Sequence, residues 1–363
     1  MKLTLNHNNL KKAVMLAERI IGRNVSLPVL SNFLFKTDNG RLRISATNLE
    51  MGITCWVGAK IEEVGELTVP ARVLADLINS ISEDKISLAS KENTLIISAS
   101  GYKTTILGGD SKEFPIIPRI KDAQTIQIPA DILAGCLSSV VDSIALSESR
   151  PELAGIYINF SREGIIFAAT DSFRLTEQIV KQKNAVTGAF ILPRPAVNEV
   201  IKIASSSEDG VIISFNPNQA SFNTHDFEFV SRLIDGTYPE YKKVIPDKVV
   251  SRVTVAKGEL EKSTQIAGIF SSNISDIKIE AVKDKLKLSA KNPNKGDTQL
   301  TVGAELKNEN FEISINYRYL LDGLKIMPSP KVDILFTGNN SPLIIRPHGV
   351  AEQITYLIMP LRG

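Results

Sequence analysis

His7, His225 and His348, together with Cys55 and Cys136, are the side chains of this chain best suited to metal binding or nucleophilic attack. They are scattered, and none falls at a metal-ligand spacing from another. No nucleophile, base and orienting group line up in the sequence either. Gly108-Gly109-Asp110 is glycine-rich but lacks the G-x-x-x-x-G-K-[ST] form of a phosphate-binding loop. One pair of opposite charges, Asp171 and Arg174, invites a catalytic reading. Its setting, Thr170-Asp171-Ser172-Phe173-Arg174-Leu175-Thr176, is a turn that follows an apolar run. A carboxylate that caps the turn, with a guanidinium that forms an ion pair or rims a pocket, suits that setting better than acid–base work. These residues point to binding; a hydrolase is a poor reading, and no cofactor or metal is expected.

What positions that pair is a repeated unit. Gly164-Ile165-Ile166-Phe167-Ala168-Ala169 reads as a buried strand that ends in Ala, followed by a polar residue and Asp. The same sentence stands earlier as Leu42-Arg43-Ile44-Ser45-Ala46-Thr47-Asn48-Leu49-Glu50-Met51. It recurs, more weakly, as Leu286-Lys287-Leu288-Ser289-Ala290-Lys291-Asn292-Pro293. The closing alanines, Ala46, Ala169 and Ala290, are 123 and 121 residues apart. Leu67-Thr68-Val69-Pro70-Ala71-Arg72 matches Phe190-Ile191-Leu192-Pro193-Arg194-Pro195, with Phe311 to Arg318 as the third copy. Each copy ends on an aromatic residue or Met before Pro: Phe114-Pro115, Tyr238-Pro239 and Met359-Pro360. Each opens with a strand, a polar cap and an amphipathic helix, over Asn8 to Ile21, Ala130 to Ile144 and Gly258 to Phe270.

A period near 121 residues is too long for a solenoid unit, so each repeat is read as a domain. The domains run 1–121, 122–249 and 250–363, with proline-containing linkers before each boundary. In the first, the pattern predicts helix 8–21 and strands near 29–36, 41–47, 52–62 and 66–69. Helix 71–81 follows, then strands 85–90, 94–99 and 102–107. Asp38-Asn39-Gly40 is a hairpin turn. The fold class is α+β, each domain two helices packed on two small antiparallel sheets.

Composition is that of an ordinary globular protein, with 43% apolar and 23% charged residues. A net charge of +2 does not by itself announce nucleic acid; a basic surface requires segregated charges. The two cysteines read as reduced packing residues, and the chain as a cytoplasmic protein with no membrane partner.

Similar domains can stack head to tail into a closed ring. Two chains would give six domains and twelve helices. Lining a hole at about 10 Å spacing, the helix axes form a circle roughly 38 Å across. Allowing about 10 Å for one helix diameter leaves roughly 28 Å. A duplex on the order of 20 Å wide passes through it.

At that point the chain resembles a known family over its full length, the β sliding clamps of DNA polymerase III. The resemblance is carried by Leu27-Pro28-Val29-Leu30-Ser31-Asn32, Ala46 to Met51, Val69-Pro70-Ala71-Arg72 and Phe114-Pro115. Ala169-Thr170-Asp171, Arg174-Leu175, Asp235 to Tyr241 and Met359-Pro360-Leu361-Arg362 carry the rest. It implies a head-to-tail homodimeric ring around double-stranded DNA, bound without sequence preference. It also implies a replicative polymerase catalytic subunit, a clamp loader, and repair and translesion polymerases as partners. A peptide-binding scaffold that never encircles DNA is the alternative from another class.

The resemblance further implies a hydrophobic pocket between the central domain and the C-terminal tail. The positions are Leu153, Thr170, Ser172, Phe173, Arg174, Leu175, Pro239, Lys243, Val244, Leu357, Ile358, Met359, Pro360, Leu361 and Arg362. The apolar chain end suits this, since terminal residues fray unless docked. Where the family often has Gly-His this chain has Ser172-Phe173; Lys243 stands where Arg is common, and Pro342 where Ser is. Candidate DNA-facing cations are Lys11, Lys12, Arg19, Arg23, Arg72, Arg194, Lys202 and Lys325, whereas helix 131–144 carries Asp131 and Asp142 and no base. For dimer closure, Tyr102, Thr104 and Ile106 form an edge expected to meet Ile269 and Phe270.

Overall fold

A computed structural model describes residues 1–22, 27–118, 120–121, 123–147, 149–350 and 353–361. The first repeat contributes β1 (Lys2–Asn6), α1 (His7–Glu18), β2 (Asn32–Asp38), β3 (Arg41–Thr47) and β4 (Met51–Glu63). It continues with β5 (Glu66–Pro70), α2 (Ala71–Ser80), β6 (Lys85–Lys91), β7 (Thr94–Ala99) and β8 (Tyr102–Leu107). The second repeats that order. It comprises β9 (Gln124–Ile128), α3 (Ala130–Val140), β10 (Gly155–Ser161), β11 (Gly164–Thr170) and β12 (Arg174–Val180). Then come β13 (Gly188–Pro193), α4 (Arg194–Ser205), β14 (Val211–Phe215), β15 (Gln219–Asn223) and β16 (Phe227–Arg232). The third does so again with β17 (Ser251–Ala256), α5 (Lys257–Ile269), β18 (Asp276–Val282), β19 (Lys285–Asn292) and β20 (Gly296–Asn308). It closes with β21 (Phe311–Asn316), α6 (Tyr317–Lys325), β22 (Lys331–Phe336), β23 (Leu343–Pro347) and β24 (Ile354–Ile358).

Local chemistry explains the boundaries. Asn6 caps α1 by accepting from the Asn9 amide, and Asn316 caps α6 by accepting from the Arg318 amide. Asn39 and Gly40, at φ +41° and +77°, make the β2–β3 turn. The expected strand 29–36 starts later, because Pro28–Ser31 forms a 3-10 turn that Pro28 favours at its first position.

The two small antiparallel sheets of each repeat run on into larger ones. The strands join into two continuous twelve-stranded sheets, with central paths β8-β7-β6-β1-β4-β16-β15-β14-β9 and β13-β10-β11-β12-β24-β23-β22-β17-β20-β19-β18-β21. In the first repeat, 13-residue β4 pairs with β3 and, through Ala59 to Glu63, with β1, so it links that repeat's two sheets. Likewise 13-residue β20 pairs with both β19 and β17. β12 stops after seven residues and reaches only β11 and β24. Among the described residues, β10 to β13 of the central repeat thus belong to one compact unit, and β9 and β14 to β16 to the other. One unit is Met1–Gly135 with Pro195–Leu233; the other is Cys136–Arg194 with Ile234–Gly363.

Each unit contains the same junction between repeats. In the first, β16 pairs with the start of β4, Phe229 opposite Ile53. In the second, β24 pairs with β12, Tyr356 opposite Thr176. Phenylalanines 33, 35, 222 and 229 fill the first unit, whereas Phe160, Phe167 and Tyr356 anchor the second, all below 2% exposed. Among the described residues, two equivalent edges carry no such pairing: the outer side of β8, and the side of Gly296 to Gly303 of β20 that faces away from β19.

Candidate functional site

The turn that carries Asp171 and Arg174 is built entirely by local hydrogen bonds. Thr170 Oγ1 donates to the Arg174 carbonyl at 2.6 Å and accepts from the Ser172 amide at 3.1 Å. Asp171 Oδ1 accepts from the amides of Phe173 and Arg174, each at 2.9 Å. The bend forces Ser172 to φ +77°. The first repeat forms the same turn. Thr47 Oγ1 donates to the Met51 carbonyl, Asn48 Oδ1 accepts from the Glu50 and Met51 amides, and Leu49 sits at φ +73°. In the third, Lys291 replaces the Thr, and Asn292 caps a different turn that ends at Gly296, φ +106°. The Thr-Asx pair is thus the physical content of the repeated sentence.

β12 leaves this turn with Leu175 and Arg174, and β24 pairs alongside it. The Met359 amide extends the pairing by donating to the Phe173 carbonyl at 2.8 Å, which docks the apolar chain end. Together they enclose a cavity of about 230 Å³. It is lined by Leu153, Thr170, Ser172, Arg174, Leu175, Pro239, Val244, Leu357 and Met359, all among the positions that the resemblance implied, and by Arg150 and Tyr241, which were not. Tyr241, two residues past Pro239, was visible as an aromatic in the linker; Arg150 carried no signal.

Several expected residues lie outside the lining. Ile358 is buried in the core of the third repeat, because alternate residues of β24 face opposite sides and Leu357 takes the cavity side. Phe173 is 60% exposed at the turn's tip, and Lys243 reaches into solvent to pair with Glu240. Pro360 and Leu361 do not line it either; the Leu361 amide instead donates to the Ser314 carbonyl at 2.8 Å. Arg362 lies outside the described residues. A larger groove of about 540 Å³ runs past Arg41, Trp56, Thr125 and Ser214 in the first unit. Its largely polar walls suit an apolar anchor poorly.

Charge is confined to the walls of the cavity. Arg174 Nε donates to Asp171 Oδ2 at 2.9 Å, its Nη1 bonds Asp322 of α6, and its plane lies 4.6 Å over the Tyr319 ring. With two carboxylates engaged, this guanidinium is a structural tie rather than a free cation. Tyr241 donates to the buried Glu177 at 2.6 Å. Burial first, and that bond second, hold its phenol well above the ordinary range, so it remains a donor. Arg150 pairs with Glu152 at 3.0 Å and reaches Ser172 Oγ at 3.4 Å across the mouth.

The candidate DNA-facing cations differ in their freedom. Lys12 and Arg72 are exposed and Lys11 is half-buried, on α1 and α2. Arg19, just past α1, and Lys202 of α4 share one carboxylate, Glu199, each at 3.0 Å. Lys325 of α6 pairs with Asp142 at 3.7 Å. Arg194 Nη1 lies 3.5 Å from the Ile144 carbonyl. Arg23 lies outside the described residues.

At the unpaired edges, Tyr102 is exposed and Ile106 buried on β8, with half-buried Thr104 between them. Ile269 is exposed at the end of α5, while Phe270 is half-buried, its ring 3.9 Å from where a Gly296 Cβ would stand. Cys55 and Cys136 are buried, and burial pushes the Cys136 thiol up to about 12, so both are packing residues. Among the described residues no group of three or more His, Cys, Asp or Glu could hold a metal, and no helix is long and apolar enough to cross a membrane.

Comparison with known proteins covers nearly the whole chain. Sequence models of the DNA polymerase III beta subunit match in order: the N-terminal domain over residues 1–118, the central domain over 127–240 and the C-terminal domain over 242–362. The chain is 28% identical to a beta sliding clamp of Synechococcus elongatus, covering 100% of this chain and 99% of that protein. It is 26% identical to a beta sliding clamp of Staphylococcus aureus, covering 95% and 94%. Among solved structures, it superposes on a DnaN sliding clamp of Pseudomonas aeruginosa bound to griselimycin with a TM-score of 0.96, at 25% identity and full coverage of both chains. The DNA polymerase III beta subunit of Thermotoga maritima gives a TM-score of 0.93 at 25% identity, covering 100% of this chain and 99% of that one.

Proposed function

The chain belongs to the DNA polymerase III β-subunit family and is a DNA sliding clamp without catalysis of its own; we propose that two copies close head to tail into a ring around duplex DNA. The observation that carries the closure is the junction made twice within the chain and left open once. By strand pairing, Thr104 of β8 is the equivalent of Phe229 and Tyr356, since it lies opposite Ile97 as they lie opposite Phe222 and Ile345. Thr298 is the equivalent of Ile53 and Thr176, because it lies opposite Ala290 as they lie opposite Ala46 and Ala169. Completing the pattern sets Thr104 opposite Thr298 of a second copy, Ile106 opposite Gly296 beside Phe270, and Tyr102 opposite Leu300. Pairing the two edges satisfies backbone groups that would otherwise invite aggregation.

Linkage around DNA replaces tight binding. Lys11, Lys12, Arg19, Arg72, Arg194, Lys202 and Lys325 supply weak contacts to phosphates, which hold a duplex without reading it. The cavity between β12 and β24 takes an apolar linear segment of a partner. The partners proposed are the polymerase catalytic subunit, a clamp loader, and repair and translesion polymerases. Domains at 1–121, 122–249 and 250–363 and a cytoplasmic location complete the reading.

Retention on nicked circular DNA, with clamp loader and ATP, tests the topology. The clamp should stay on the circle and slide off once the DNA is linearised. Equal retention on circle and line would leave a peptide-binding scaffold as the better account.

A further inference from the structure

Glu199 stands between two cations that the sequence and the proposed function both point toward DNA. Its Oε2 lies 3.0 Å from Arg19 Nε and its Oε1 lies 3.0 Å from Lys202 Nζ, so both carboxylate oxygens are engaged. The Glu199 side chain is 13% exposed, whereas those of Arg19 and Lys202 are 43% and 39% exposed. The anion is therefore recessed, with the cations outside it. Burial raises the Glu199 pKa against the opposing pull of Arg19, so the carboxylate is charged at a cost. The pair also crosses a repeat boundary, since Arg19 follows α1 of the first repeat and Glu199 lies on α4 of the second.

The repeats indicate that this arrangement is particular rather than a requirement of the fold. Glu199 is the sixth residue of α4, and the sixth residue of α6 is Asp322, which binds Arg174 instead. The residue in the position of Arg19 in the second repeat is Asp142, and it faces Lys325. At one junction the outer partner is a cation on a shared acid; at the other the polarity is reversed. Guanidinium binds carboxylate and phosphate through the same donors, so the two acceptors compete directly.

We propose that Glu199 is an internal stand-in for DNA phosphate, which engages Arg19 and Lys202 at rest and offsets one of their two charges, and so keeps the clamp's grip weak enough to slide. The proposal rests on the reading that these two cations face DNA. A duplex phosphate displaces Glu199 transiently, and the carboxylate recaptures the cation as the phosphate moves on. Glu199 is a positioning residue: it acts on DNA through Arg19 and Lys202.

The test is equilibrium binding of the full-length clamp to a fluorescent duplex over a salt series. Glu199→Gln keeps the shape and removes the charge, and Glu199→Ala guards against a fold defect peculiar to Gln. Each released cation adds about 0.9 to the magnitude of the salt slope, which is about eightfold in affinity at 0.1 M salt. Both variants should bind more tightly and with a steeper slope, by one to two such steps. Arg19→Gln with Lys202→Gln should weaken binding, and Glu199→Gln in that background should add nothing. If the double cation variant weakens binding while neither Glu199 variant strengthens it, the cations reach DNA but the carboxylate does not restrain them, and the proposal fails. If the double cation variant binds as the parent does, the DNA-facing reading of Arg19 and Lys202 fails instead.

Discussion

Where β16 meets β4, Gly52 follows the turn residue Met51, and the side chain of Ile117 rests where a Gly52 Cβ would stand, 2.9 Å away at its nearest. Where β24 meets β12, Leu175 follows Arg174, and Tyr241 takes the linker position that Ile117 holds. Tyr241 turns its hydroxyl to Glu177 and lines the cavity rather than capping the strand. The two corners share a turn, a strand pairing and a linker proline. One is filled by its own linker, and the other is left open beside a docked chain end. The helix acids diverge in parallel: Glu199 serves Arg19 and Lys202, while Asp322 ties down Arg174. A repeat that builds equivalent corners can therefore assign them different tasks through a few side chains.

The largest expected effect comes from removing what opens the second corner. Deleting Met359 to Gly363 should lower affinity for an apolar partner peptide by about 100-fold or more, since a few well-packed anchors carry most of such binding. Dimer mass should be unchanged. Peptide affinity within a few-fold of the parent, measured by calorimetry, breaks the contrast between the corners.

Next is Arg174→Met, which copies Met51 of the filled corner. It leaves Asp171 and Asp322 unpaired, one of them largely buried, and should cost about 2–4 kcal/mol in urea unfolding. Adding Asp322→Asn should recover at least about 1 kcal/mol of that loss. Additive losses would mean that Arg174 is not the tie described here. Smaller again, Ile117→Ala empties the half-buried plug over Gly52 and should cost about 1–2 kcal/mol. It should not create a second peptide site, because the first corner lacks Leu175, Tyr241 and the docked end.

The smallest effect concerns the turn both corners share. Ser172 holds φ +77°, a region that penalises side chains, so Ser172→Gly should change stability by less than about 1 kcal/mol, in the stabilising direction. A loss larger than that, by thermal melting, would mean that the Ser172 hydroxyl toward Arg150 matters more than the backbone.

The repeat was legible because its signals are local. The Ala-Thr-Asx sentence and the Pro before the second helix in the first two copies, and the Asn that takes that place in the third, each act within a few positions. The order of strands and helices followed from them. Three features were not legible. That β12 stops after seven residues, where β4 and β20 run to thirteen, depends on pairing with strands far along the chain. The seating of Ile117 on Gly52 and the sharing of Glu199 by Arg19 and Lys202 join distant residues, with no spacing rule to betray them. The alternation along β24 was readable, yet the apolar run Leu357-Ile358-Met359 hid which residue faces the cavity.

In the proposed ring, the corner made twice within the chain is made a third time between two copies. Thr104→Cys together with Thr298→Cys tests it directly, because the carried-over register sets these residues opposite each other. Mild oxidation should give a covalent species of twice the chain mass, its 104–298 disulfide identified by mass spectrometry. Dilution should not break it, and no higher multiples should form, because a closed pair of junctions uses both cysteine-bearing edges of each copy. A ladder of higher multiples, or a failure to cross-link while the protein remains dimeric, would contradict the closed head-to-tail ring.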